Sequence, residues 1–261
     1  MGPFVGFRAS TDKGKTWAEP RGPTGDLRNV SQPLFNEAVG RPIKLGAPHV
    51  VDYGPENRRS PDGAMYMVGN GCLADKPNSN CSWISGDAVF LARASGYSAA
   101  QPDTLNDRAN WEFYCGKGEG ESEPPCWTAD VEKAKPILTW EGRVGTVTAT
   151  WHPAMKRFLF AITTPTVLPS TVGPYDTYVL EAPTLFGPFK LVSYMPRFGQ
   201  QAYFVSFPSK FLGPGRDALM AFSANFACKT GGCQPNILGA GYGANLLPVR
   251  FGEPAAPVGQ R

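Results

Sequence analysis

The sequence predicts an all-β protein assembled from many short strands. Three observations carry that expectation. Glycine and proline are dense, with 30 Gly and 26 Pro among 261 residues, where average usage of the two together is roughly 12%. Long regular helices do not persist through so many breakers. Short runs of β-branched and aromatic residues recur with a period of two, at 64–70 (AMYMVGN), 88–94 (AVFLARA), 144–151 (VGTVTATW), 157–164 (RFLFAITT), 176–182 (DTYVLEA), 201–207 (QAYFVSF) and 218–225 (ALMAFSAN). Such alternation is the signature of strands with one face buried. Turn chemistry separates the runs, as in Ser60-Pro61-Asp62-Gly63 and Phe186-Gly187-Pro188. One helical turn is expected near Asp130 to Lys135, stopped by Pro136. Many short strands at regular spacing build a sandwich, a barrel or a propeller. No linker-like break in composition appears, so a single domain is expected over 1–261.

Composition excludes several classes of function. Hydrophobic residues make up 42%, with 16 Phe, 9 Tyr and 6 Trp. That supply supports a large core and rules out global disorder. No apolar run approaches the roughly 20 residues of a membrane-spanning helix, so no membrane partner is expected. A net charge of +3 is too mild and too dispersed for a dedicated nucleic-acid binder.

The six cysteines fall into three close pairs: Cys72 with Cys81, Cys115 with Cys126, and Cys228 with Cys233. Turn-rich segments separate the members of each pair, which predicts three short-loop disulfides and an oxidising, extracellular compartment. No closely spaced ligand pair supports zinc. The opening MGPFVGF carries no secretory leader and reads as an N-terminally trimmed chain. Asn29-Val30-Ser31 and Asn80-Cys81-Ser82 fit the glycosylation triplet.

Segment 10–17, STDKGKTW, matches the pattern S-x-D-x-G-x-T-W. Asp12 is expected to accept bonds from nearby backbone N–H groups, Gly14 to adopt positive φ, and Trp17 to pack beneath the turn. This pattern resembles the Asp-box, the blade-turn element of sialidase-like propellers. From about Ile43 onward the order of segments also resembles a family of secreted propellers related to glycan-cleaving enzymes. Those enzymes include arabinan-type glycoside hydrolases and rhamnosyl-glucuronate lyases. The carrying segments are 47–54 (APHVVDYG), 60–71 (SPDGAMYMVGNG), 85–94 (SGDAVFLARA), 111–116 (WEFYCG), 143–160 (RVGTVTATWHPAMKRFLF), 177–192 (TYVLEAPTLFGPFKLV) and 203–211 (YFVSFPSKF). The resemblance implies a β-propeller of five blades, or five blades of a larger ring lacking its N-terminal blade. It also implies a carbohydrate-active enzyme cleaving glycosidic bonds in an extracellular, uronate-containing polysaccharide. Hydrolysis is the favoured reaction, elimination with a histidine base is an alternative, and a glycan-binding propeller without catalysis is another.

In a propeller the ligand sits at the mouth of the central channel, so polar residues at inner-strand starts are the candidates. His49 follows Pro48 at the head of an apolar strand, and an imidazole exchanges protons near neutrality. The resemblance implies that His49 is the base of an elimination. Hydrolysis needs two carboxylates flanking one bond, drawn from Asp52, Asp87, Glu112 and Glu181, which lie in or beside strand-like runs. Asp62 and Asp107 read as turn residues. Arg93, Arg143 and Lys210 are candidates to pair a uronate carboxylate. His152, on a hairpin turn before Pro153, is a candidate substrate contact. Tyr66, Trp83, Trp151, Tyr203 and Asn225 would supply stacking faces and hydrogen bonds to sugar hydroxyls. No metal site and no cofactor are expected, although a structural calcium ion is compatible with the carboxylates and turn carbonyls.

Overall fold

A computed structural model of the chain describes residues 7–8, 10–17, 44–73, 84–98, 101–117, 124–167, 174–199, 201–224 and 243–252. Those residues form three antiparallel sheets. The first contains β1 (Gly46–Val50), β2 (Met65–Gly71), β3 (Gly86–Ala94), β4 (Trp111–Lys117) and β5 (Pro125–Thr128) in that order. A further strand, β6 (Leu138–Val144), also pairs with β3. Strand β3 divides its edge between two partners: Ala92–Ala94 pair with β4, whereas Gly86–Val89 pair with β6. The second sheet is an up-and-down meander of β7 (Thr146–His152), β8 (Arg157–Pro165), β9 (Tyr175–Ala182) and β10 (Lys190–Met195). The third consists of β11 (Tyr203–Ser206), β12 (Asp217–Ala224) and β13 (Gly243–Arg250). Among the described residues there is no α-helix, and the sheets do not close into a barrel or ring.

The predicted strand runs coincide with β2, β3, β7, β8, β9, β11 and β12 to within about two residues at most ends, the usual scatter of strand and helix limits. The expected helical turn is a short 3-10 segment, Val131–Lys133, capped by the Asp130 carboxylate on the Glu132 N–H at 3.0 Å. Cys115 and Cys126 form a disulfide between β4 and β5. Cys72 is also disulfide-bonded, whereas Cys81, Cys228, Cys233 and both glycosylation triplets lie outside the described residues.

The first strand of each sheet lies at a common junction. The chain leaving β1 makes a parallel bridge from Asp52 to Thr150 of β7. There the Asp52 N–H donates to the Ala149 carbonyl, and the Trp151 N–H to the Asp52 carbonyl, both at 2.9 Å. On its other side β7 meets β11, where the Thr148 hydroxyl donates to the Val205 carbonyl at 2.7 Å.

Period-two alternation explains why β8 is buried along almost its whole length. Phe158, Phe160 and Ile162 share a core with Tyr66, Val68 and Leu91 of the first sheet and with Tyr178 of β9. Leu159 and Ala161 pack toward the third with Val205, Phe207 and Met220. A separate cluster covers another face of the first sheet, around Phe90, Trp111 and Phe113.

In segment 10–17 the Asp12 carboxylate accepts the Thr16 N–H at 2.9 Å and the Thr16 hydroxyl at 2.7 Å. Those bonds, with the Ser10 hydroxyl, hold Asp12 down at about 2. Gly14 has φ of 86°. Trp17 donates its indole N–H to the Gly14 carbonyl and remains 58% exposed. The tryptophan thus rests on the turn instead of being buried beneath it.

Candidate functional site

Strand β1 and the loop after it carry the residues with most scope for chemistry. A cavity of about 680 Å³ is lined by His49, Asp52, Tyr53, Gly54, Glu56 and Asn57, with an apolar floor that includes Met65 and Met67. His49 is half-buried, and its ring lies 5.4 Å from that of Phe204 on β11. Burial lowers its pKa, and the hydrogen bond involving the Val50 backbone and the charge of Asp52 only partly oppose the shift. With its pKa held below the ordinary 6.5, the imidazole is mostly neutral at pH 7.

Asp52 is tethered at both oxygens. Oδ1 accepts the Gly54 N–H at 2.8 Å, and Oδ2 accepts the Ser209 N–H at 2.7 Å. The same carboxylate thus borders the cavity and fixes the third sheet to the first. Glu56 and Asn57 follow with φ of 55° and 58°, unusual values for residues with side chains. Asn57 is held there by its side-chain amide, which donates to the Ala64 carbonyl at 2.8 Å.

A second cleft of about 330 Å³ shares Tyr53 with the first. Its walls are Tyr53, Tyr66, Trp151, Phe158 and Phe186, and Arg59 and Thr184 bring polar groups to it. Tyr53 meets Phe158 edge-on with ring centroids 5.5 Å apart, and Trp151 lies 4.9 Å from Phe158. Each such pair adds about 0.5–1.5 kcal/mol beyond area burial, so these walls are preformed.

Beyond Tyr66 lies a clamp of charges. The Tyr66 hydroxyl donates to Asp62 Oδ2 at 2.7 Å. Burial first, then that bond, push Tyr66 up to about 12. The Arg93 guanidinium reaches Glu112 Oε2 at 3.0 Å and Asp62 Oδ2 at 3.4 Å, and lies 4.1 Å above the Trp127 ring. Burial works against the Asp62 charge, yet the bonds from Tyr66, Ala64 and Ser60 hold its pKa below the ordinary value.

The other sequence candidates are dispersed. Buried Asp87 accepts the Gly142 N–H at 3.0 Å, tying β3 to the turn within β6. Glu181 faces Lys190 at 4.0 Å and borders a groove of about 890 Å³ that also includes Arg157 and Arg216. Arg143 is exposed and meets the Tyr178 hydroxyl at 3.5 Å. His152 is fully buried. It accepts the Met155 N–H on Nδ1 at 3.3 Å, leaves Nε2 without a hydrogen-bond partner, and abuts Phe251 edge-on. Tyr203 stacks near Phe204, with centroids 4.3 Å apart, and so stands one ring away from His49. Exposed Lys210 lies over Phe211, next to the Ser209 amide that Asp52 captures. Trp83 and Asn225 lie outside the described residues.

The structure therefore brings His49 and Asp52 to one cavity, and Tyr66 and Trp151 to the adjoining cleft. Asp87, Glu112 and Glu181 stand elsewhere, each with a charged or backbone partner. Tyr53, Glu56, Arg59 and Phe186 join the site without having been singled out from the sequence. The break Gly54-Pro55 just after an apolar strand is the signal that marks the first three, because it places a polar loop at a strand exit. Among the described residues no group of three or more His, Cys, Asp or Glu side chains is placed to hold a metal ion. No protein-family model matches the chain, and no curated protein is significantly similar to it.

Proposed function

We propose that this chain is a secreted, propeller-type enzyme that cleaves glycosidic bonds in a uronate-bearing extracellular polysaccharide. In this reading the three sheets are neighbouring blades, and β1, β7 and β11 are their inner strands. The observation that carries the activity is the sharing of Tyr53 by two spaces: a cavity holding a neutral histidine and a cleft walled by aromatic rings. Aromatic faces stack on the apolar faces of sugars, and a neutral imidazole beside them is a ready base. Disulfide bonding at Cys115, Cys126 and Cys72 supports an oxidising compartment.

Elimination is the chemistry the geometry supports best. His49 takes the proton from the carbon beside the uronate carboxylate. The C–O bond at the next carbon breaks, a C=C bond forms, and the departing oxygen takes a proton from water. Hydrolysis, favoured from the sequence, requires two carboxylates facing one bond. Asp52 and Glu56 line the same cavity and are the pair it would use. Binding without cleavage is favoured by one observation, the engagement of both Asp52 oxygens by backbone N–H groups.

The test is a polysaccharide panel read for reducing ends and for the ultraviolet absorbance of the conjugated C=C bond. Both signals rising together are expected. His49→Ala should lower the rate by about 10²–10⁴, and the acid limb of the pH profile should lie below the ordinary imidazole value of 6.5. Reducing ends without absorbance would move the reaction to hydrolysis. Binding without either product would leave a lectin-like protein.

A further inference from the structure

We infer that Arg59 is the residue that selects a carboxylate-bearing sugar ring at the junction of the two cavities. This deepens the glycan reading above and rests on it. Of the sequence candidates for that task, Arg93 is held by Glu112 and Asp62, Arg143 meets Tyr178, and Lys210 lies over Phe211 outside the lining of both cavities. Arg59 is exposed and makes no hydrogen bond or ion pair with any described residue. Its guanidinium lies over Gly54, where a Cβ would collide with it. Gly54 lines the first cavity, Arg59 lines the aromatic cleft, and Tyr53 belongs to both.

Gly54 also has φ of 91°, a conformation that side chains rarely adopt. The glycine thus does two things at once: it permits the turn and it leaves room for the cation. An unpaired guanidinium beside an aromatic wall matches a ring with one apolar face and one planar anionic substituent. A carboxylate meets these conditions, and its two oxygens fit the guanidinium fork.

The experiment is calorimetric titration of the full chain with a linear tetrauronide, its carboxyl-reduced counterpart and a sulfated neutral counterpart. The wild type should prefer the uronide over the reduced form by about tenfold, the scale of one charge-assisted bidentate contact. Arg59→Gln should abolish that preference by weakening the uronide alone, and Arg59→Lys should keep part of it. Circular dichroism should show both variants folded like the wild type. A preference that survives Arg59→Gln would overturn the assignment. Equal binding of acid and reduced ligands by the wild type would overturn it too while leaving the glycan reading intact. Sulfated ligand binding as tightly as the uronide would replace carboxylate recognition by charge alone. Folded wild type that binds none of the three would sink the glycan reading and this inference together.

Discussion

The start of the first sheet and the second sheet are built to opposite specifications. In the second sheet β7, β8 and β9 pair residue for residue without a shift, from Thr146↔Thr163 to Pro165↔Tyr175. At the start of the first sheet the pairing of β1 with β2 slips between Gly46 and His49. Leu45, Ala47, Glu56 and Asn57 there all have positive φ. Regular ladders repeat one side-chain alternation along their length, whereas irregular backbone re-aims side chains. Strained conformations of this kind persist only where surrounding structure imposes them, and they gather at functional sites. Here they coincide with the larger of the two adjoining cavities.

The comparison can be broken most forcefully from the regular side. Phe160 is 1% exposed in the core between the two sheets. Phe160→Ala should cost about 3–5 kcal/mol, read as a lower urea midpoint. An unchanged midpoint would mean that β8 is not the pillar of the core. The irregular side should yield less. Asp52→Ala leaves the Gly54 and Ser209 N–H groups unpaired and should cost about 1–3 kcal/mol. Asp52→Asn, which keeps one acceptor, should cost less than Asp52→Ala. Equal midpoints for wild type and Asp52→Ala would show that the tether contributes nothing.

The smallest effect separates the two histidines. Burial lowers the pKa of His152 from its ordinary 6.5, so the unfolded chain binds a proton more readily than the folded one. Stability is whole above that pH and falls as the pH drops through the window between the two values. His152→Asn should flatten the decline partially, because His49 is shifted in the same direction and by the same cause. A decline identical to wild type would show that His152 does not contribute.

Strands with a buried face were readable because alternation is a local property of the sequence. β2, β3, β7, β8 and β9 announce themselves in this way. β10 does not: Lys190 to Tyr194 are exposed, and an edge strand without a buried face has no period to read. The site was half legible for the same reason. His49, Asp52, Tyr66 and Trp151 lie on or next to strands that could be located. Arg93 and Glu112 were visible too, but their purpose was hidden, because only the cross-strand pair Arg93↔Glu112 reveals that each occupies the other. For Arg59 the Gly54-Pro55 break marks only a polar loop at a strand exit. The place of Arg59 depends on Gly54 lying beneath it, which is a matter of folded geometry.

The bond between Asp52 and Ser209 spans 157 residues of sequence. The hairpins of the second sheet close over short loops, and such elements assemble within microseconds. Bringing the exit of β1 to the loop after β11 requires most of the chain to be in place, and non-local contacts of this kind slow folding. The pocket is accordingly a late product of assembly: the ladders come first, and the chamber exists only once the exit of β1 and the loop after β11 have met.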